Sequence, residues 1–149
     1  MPDEVQTLTM PVERGKIAEF ARAIREDNPI YFDEAAARAA GFPGIPAPPT
    51  FFEVLLRFLD FGIERPRTPR PAGGGAGFDG GREIEYLKPI VAGDVLTMKK
   101  SQGDTYEREG RRGGKLTFTS DDCEFFNQRG EKVMVVRSIT VRTSQVPGS

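Results

Sequence analysis

Apolar residues recur at helical spacing near the start of the chain and at strand spacing over its second half. Ile17, Phe20, Ala21 and Ile24 share one stripe and predict an amphipathic helix over residues 14–25. Asn28-Pro29 marks its stop, because proline disfavours helical geometry in the residue before it. Asp33 suits the N-cap of a short helix through Ala40, and Gly41 suits its C-cap. The proline-dense residues 42–49 should be extended and stiff. Thr50-Phe51-Phe52-Glu53 has the form of a capping box. It opens a third helix whose apolar residues Phe51, Phe52, Val54, Leu55, Leu56, Phe58, Leu59 and Phe61 go nearly all the way round, up to Gly62. A helix apolar on every side belongs inside a protein.

Residues 65–81, rich in proline, glycine and arginine, read as a mobile loop. Residues 82–88, 95–102, 116–126 and 132–141 read as strands, separated by turns at Ala92-Gly93-Asp94, residues 110–114 and Arg129-Gly130. Val133, Val135, Ile139 and Val141 fall on one face at period two. Short links between consecutive strands imply an antiparallel sheet, so helices come first and strands second in an α+β domain. The expected architecture is an antiparallel sheet curled around the apolar helix.

Composition narrows the class further. A chain of 149 residues, 38% hydrophobic and 29% charged, suits one domain with a core of its own. A net charge of −1 gives no electrostatic footprint for nucleic acid or an anionic membrane. The N-terminal ten residues show no basic, apolar signal, and no apolar run approaches the roughly 20 residues of a membrane span. The lone Cys123 has no disulfide partner in the chain, which fits a reducing cytoplasm. The sequence contains no histidine, so a transition-metal site is not expected, nor is a nucleophilic Cys123.

Three segments resemble one family. Glu26-Asp27-Asn28-Pro29-Ile30-Tyr31, followed by the acidic, alanine-rich residues 32–37, is similar to the Asp-x-Asn-Pro-Ile/Leu-His signature of the MaoC-like, hot-dog-fold hydratases. Ala47-Pro48-Pro49-Thr50-Phe51 looks like the approach to that family's central helix. Residues 86–94, Tyr-Leu-Lys-Pro-Ile-Val-Ala-Gly-Asp, look like its strand-and-turn passage ending in Gly-Asp. The closest type is the FAS1-like, HadA-like N-terminal unit, which acts beside a second, catalytic hot dog. The resemblance implies a single hot-dog domain with an acyl tunnel along the central helix.

Adding water across an enoyl thioester needs a base, an acid and a donor for the enolate oxygen. The family supplies these with an Asp–His pair and a glycine N–H at the start of the central helix. In frame, Glu26 replaces the aspartate, Tyr31 the histidine and Pro49 the glycine. Proline has no N–H to give, and a tyrosine starting near about 10 is a poor proton shuttle at pH 7. The resemblance therefore implies an accessory, substrate-binding subunit of a heteromeric (R)-specific enoyl-CoA or enoyl-ACP hydratase. Asn28, Pro49, Thr50, Phe51, Phe52 and Leu55 are its candidate substrate-side residues. A MaoC-like partner with an intact Asp/His motif would do the chemistry on an acyl-CoA or an acyl carrier protein thioester, with no cofactor. Two alternatives stay open: a self-sufficient homodimer using Glu26 and Tyr31, and a non-enzymatic acyl-thioester binder. Simpler readings also stand, with Glu26 solvated at a helix end, Asn28 capping its turn, Tyr31 filling the imidazole's space, and the helix phenylalanines as plain core.

Remaining motifs are weaker. The GxGxxG match over residues 75–80 follows no strand and opens no helix. Arg65, Arg67 and Arg70 could meet phosphates or an acidic carrier, although a solvated loop explains them more simply. Arg108, Arg111, Arg112 and Lys115 form a basic hairpin tip, best read as a solvated turn.

Overall fold

A computed structural model describes residues 6–58, 75–111 and 114–145. The chain opens with strand β1 (Gln6–Pro11), then helix α1 (Arg14–Ala23), a 3-10 turn (Pro29–Tyr31), helix α2 (Glu34–Ala39) and helix α3 (Phe52–Phe58). Four strands follow: β2 (Gly77–Tyr86), β3 (Val95–Glu109), β4 (Lys115–Phe126) and β5 (Lys132–Thr143). They form one five-stranded sheet in the order β1-β3-β4-β5-β2. Every neighbouring pair is antiparallel, as expected.

The inner face of the sheet is set by β4, where Cys123 and Phe125 are buried. Register carries that face across the sheet in two rows, Met98–Phe125–Met134–Tyr86 and Lys100–Cys123–Val136–Ile84. Phe51, Phe52 and Leu55 from the start of α3 join Met98, Phe125, Met134 and Val136 in one core. Ile17 and Ala21 of α1 are fully buried, and Phe20 meets Phe51 edge-to-face at 5.6 Å. The sheet and the first turn of α3 thus share the predicted core. In the same turn Glu53 is half-buried and meets the Arg82 guanidinium of β2, so α3 is not apolar all round. The side chains of Leu56 and Phe58, and Leu59, Phe61 and Gly62 altogether, lie outside the described residues.

Several boundaries differ from the sequence reading. The chain begins with a strand, β1, rather than with helices alone. Leu8 and Met10 alternate with Thr7 and Thr9, but their partners Met98 and Leu96 are far away in sequence. β2 starts at Gly77, so residues 77–81 are strand and not loop, while residues 65–74 lie outside the described residues. Gly80 shows why glycine is needed there: a Cβ would stand 2.7 Å from Val141 Cγ2. β3 runs on to Glu109, past a bulge between Gln102 and Thr105. On β5 the helix-facing residues are Met134 and Val136, whereas Val135 faces outward opposite Glu124. A bulge between Phe125 and Phe126 lets Val133 be buried too, beneath the amides of Leu87 and Lys88.

Local caps follow sequence chemistry. Asp33 Oδ1 accepts the Ala35 N–H at 2.9 Å and starts α2, and Gly41 ends it at φ 93°. α1 ends at Ala23, ahead of the Asn-Pro stop, because Arg25 turns left-handed at φ 58°. The Arg25 amide donates to Arg22 O (3.0 Å) and the Glu26 amide to Ala21 O (2.8 Å), the paired bonds of a Schellman motif. Arginine carries a Cβ penalty in that conformation. Arg25→Gly is therefore expected to stabilise the fold by roughly 0.5–1 kcal/mol in urea titration. A loss of stability would show the Arg25 side chain to be holding the turn.

The β4–β5 turn is a polar hub. Buried Asn127 Oδ1 accepts from the amides of Arg129 and Glu131, both at 3.0 Å. Glu131 accepts from Lys88 at 2.7 Å and from Arg129 at 3.2 Å, tying the turn to the end of β2. The hydrogen bonds from Lys88, Arg129 and Asn127 pull its pKa down to about 2. A lowered carboxylate pKa stabilises the fold above the unfolded value, near about 4.3, and that stabilisation fades as pH falls toward 2. Wild type should thus lose its margin over Glu131→Gln between about pH 5 and pH 2. Urea midpoints at pH 6 and pH 3 test this, and an unchanged margin would remove the assignment.

Candidate functional site

The proline-rich segment before α3 is laced to the residues after β2. Ala47 N–H donates to Ile90 O at 2.7 Å, Ala92 N–H donates to Ile45 O at 2.8 Å, and Pro46 bridges to Val91. Two of the three family-like segments are thereby brought side by side. Between them lies an apolar cavity of about 300 Å³. One wall is Phe42, Pro46, Ala47 and Pro49 with Phe51, Phe52 and Leu55 of α3. The other is Tyr86, Leu87, Lys88, Pro89 and Ile90, with Met134 of β5 at the base. Four candidates from sequence, Pro49, Phe51, Phe52 and Leu55, therefore line one space, and Thr50 is exposed beside it.

Sequence reasoning passed over the second wall. Tyr86 stands in the recognised passage, but nothing in its one-dimensional context shows that its hydroxyl donates to Pro49 O at 2.6 Å. That bond spans the gap between β2 and the start of α3. Partial desolvation raises the pKa of the half-exposed Tyr86 above its usual value, which keeps the phenol protonated as a donor. Pro49 presents a carbonyl where the family presents an N–H, and the Phe51 N–H is already given to Pro48 O at 2.9 Å.

Glu26, Asn28 and Tyr31 do not line this cavity. Glu26 Oε1 accepts the amides of Asp27 and Asn28, both at 3.1 Å, and so braces the turn after α1. Asn28 Oδ1 accepts the Ile30 N–H at 3.2 Å and caps the 3-10 turn. Tyr31 is half-buried against the core. Its pKa is raised, first by burial and then by the negative charge of Glu26. A phenol held above its usual pKa beside a carboxylate that is holding two amides makes a poor proton relay at pH 7.

Other candidate groups have structural explanations. The GxGxxG residues lead into β2 and open no helix. Lys115 pairs with Glu107 at 2.6 Å, and Arg108 lies over the Tyr106 ring. Arg65, Arg67, Arg70 and Arg112 lie outside the described residues. Cys123 is buried, and burial raises its thiol pKa, away from nucleophilic use. Among the described residues no cluster of His, Cys, Asp and Glu could hold a metal ion, and no helix is long and apolar enough to cross a membrane.

Known proteins fit this picture. The ChsH1–ChsH2 complex from Mycobacterium tuberculosis contains a chain that superposes with a TM-score of 0.79 at 25% identity, covering 97% of this chain and 85% of that one. A chain of the truncated HadBC (3R)-hydroxyacyl-ACP dehydratase complex from the same organism matches at 0.70 and 26% identity, covering 93% and 95%. A UPF0336 protein of Saccharopolyspora erythraea is 34% identical over 137 residues, 87% of this chain and 80% of its own length. Residues 2–136 match the FAS1-like, dehydratase domain region. With its antiparallel hot-dog sheet and its altered Asp-x-Asn-Pro-x-His segment, the chain belongs to the FAS1-like dehydratase branch of the MaoC-like hot-dog hydratases.

Proposed function

We propose that this chain is the accessory, substrate-binding half of a heteromeric (R)-specific enoyl-thioester hydratase, working in the cytoplasm. The observation that carries the reading is the pairing of a retained apolar cavity with a disabled relay. About 300 Å³ of apolar space lies against α3, while Tyr31 and Pro49 stand where an imidazole and an N–H donor are needed. The cavity takes part of the acyl chain, and a partner hot dog brings the Asp/His pair that moves the protons. Water addition is acid–base chemistry, so the proposal assigns no cofactor or metal. That HadBC and ChsH1–ChsH2 are complexes supports a two-chain assembly.

The test is reconstitution. The purified chain is mixed with a small MaoC-like subunit carrying Asp-x-Asn-Pro-x-His, and hydration of crotonyl-CoA and of a crotonyl carrier protein is followed. The mixture should exceed the sum of the separate chains by at least about 100-fold, the lower end of what an acid–base pair contributes. Full activity from this chain alone would overturn the reading. The self-sufficient alternative rests on the charge of Glu26 beside the Tyr31 phenol and requires Glu26→Gln to abolish turnover. A non-enzymatic binder would take up acyl-CoA in calorimetry and leave the mixture's rate unchanged.

A further inference from the structure

Among the described residues no strand pairs with the outer edge of β2. β2 is the last strand in the sheet order, and nine of its ten residues are exposed. Phe78 is 50% exposed, Tyr86 52% and Leu87, just beyond the strand, 44%. A long edge strand with exposed apolar residues invites pairing with another strand. The opposite edge, β1, is six residues long and ends in Pro11, which has no amide hydrogen.

Charge along this edge is one-sided. Register places Glu83 and Glu85 on the outer face, opposite Arg137 and Val135 of β5. Arg137 is committed to Asp122 through two bonds of 2.9 and 3.1 Å, and it reaches Glu83 only at 3.9 Å. Glu85 faces neutral Val135. The outer face of β2 therefore carries two acids, Glu83 sharing Arg137 with Asp122 and Glu85 standing opposite a neutral side chain.

We propose that β2 selects its partner by charge: it pairs with a second hot-dog chain whose edge strand carries lysine or arginine on the outer face, and it resists pairing with a second copy of itself. The proposal rests on the reading of this chain as one half of a two-chain assembly. Two antiparallel β2 strands related by a two-fold axis keep outer face beside outer face. Registers centred on Glu83, Ile84 and Glu85 set Glu83 against Glu83, Glu83 against Glu85, and Glu85 against Glu85. The register centred on Arg82 sets that arginine against its copy and leaves Glu83 diagonal to Glu83. Like charges directly opposite oppose pairing, and opposite charges favour it. A basic outer face on the incoming strand turns each clash into an ion pair. The apolar groups at the two ends of β2 would be covered at the same time.

Sedimentation velocity on purified full-length chains tests this without any knowledge of the natural partner. Wild type and Glu83→Lys/Glu85→Lys should each stay monomeric, while their equimolar mixture dimerises at concentrations at least about ten-fold lower. The advantage should vanish near 1 M salt, where the screening length falls to about 3 Å. Glu83→Gln/Glu85→Gln, which removes the repulsion alone, should self-associate more tightly than wild type. Wild type dimerising as tightly as the mixture, or a mixture that stays monomeric, would overturn the proposal. Neither readout depends on hydratase activity. Edge pairing with no turnover in the reconstituted system would therefore sink the functional reading alone.

Discussion

Restoring histidine at the Tyr31 position, even together with Glu26→Asp, is expected to leave the isolated chain without hydratase activity above background. On the proposed accessory reading, two substitutions stand between this chain and catalysis. Replacing the acid–base pair removes about 10²–10⁴-fold, and losing an oxyanion donor removes a further 10²–10³-fold. Tyr31→His addresses only the first. Pro49 still offers its carbonyl to Tyr86 rather than an N–H to an enolate. Geometry adds a further obstacle, because neither Glu26 nor Tyr31 faces the cavity and Glu26 is occupied by two backbone amides. Tyr31→His/Glu26→Asp/Pro49→Gly returns all three residue types, yet its rate should still fall far below that of the reconstituted pair, because neither side chain of the dyad positions lines the cavity. Crotonyl-CoA hydration by the single, double and triple variants decides the matter. If Tyr31→His by itself came within about ten-fold of the reconstituted pair, the oxyanion argument would fail.

The second large effect is on stability. Phe51→Ala should cost about 3–5 kcal/mol, against a total that for natural domains is about 5–15 kcal/mol. Phe51 is 1% exposed, meets Phe20 edge-to-face and joins α3 to the sheet core. Truncation loses this transfer energy and opens new space beside a cavity that already exists, which limits collapse. At about 2–4 °C per kcal/mol for a domain of this size, the melting temperature should fall by roughly 10 °C. A loss below about 1 kcal/mol in urea unfolding would mean that Phe51 serves the cavity alone and not the core. Function and stability meet at this residue, so activity of the variant in reconstitution must be read at a temperature where it is folded.

Much of the fold is legible locally. Asp33 and Gly41 bound α2 because a carboxylate cap and a left-handed glycine act on their own neighbours. The starts of β3, β4 and β5 emerge within a residue of the expected positions, since turns at Ala92-Gly93-Asp94 and Arg129-Gly130 punctuate the alternation. β1 escaped because the partners of Leu8 and Met10 lie across the sheet on β3. Glycine at 77, 80 and 81 resembles loop composition, yet at Gly80 it answers a close approach by β5 that no local pattern shows. Period two groups Val133, Val135, Ile139 and Val141 on β5 but does not say which face meets the core. Only register with Cys123 and Phe125 shows that Met134 and Val136 point inward.

By itself the sequence determined the family, the antiparallel sheet, the absence of any imidazole and the lack of an N–H at Pro49, because residue identity alone decides whether those groups exist. Tertiary structure decided where the surviving groups point. It put Pro49, Phe51, Phe52 and Leu55 around one cavity, gave that cavity a second wall through Tyr86 and Leu87, and turned Glu26 and Asn28 to bracing a turn. It also put β2 at the end of the strand order among the described residues, with its acids on the outer face, since strand order and register arise from long-range pairing that no local pattern encodes.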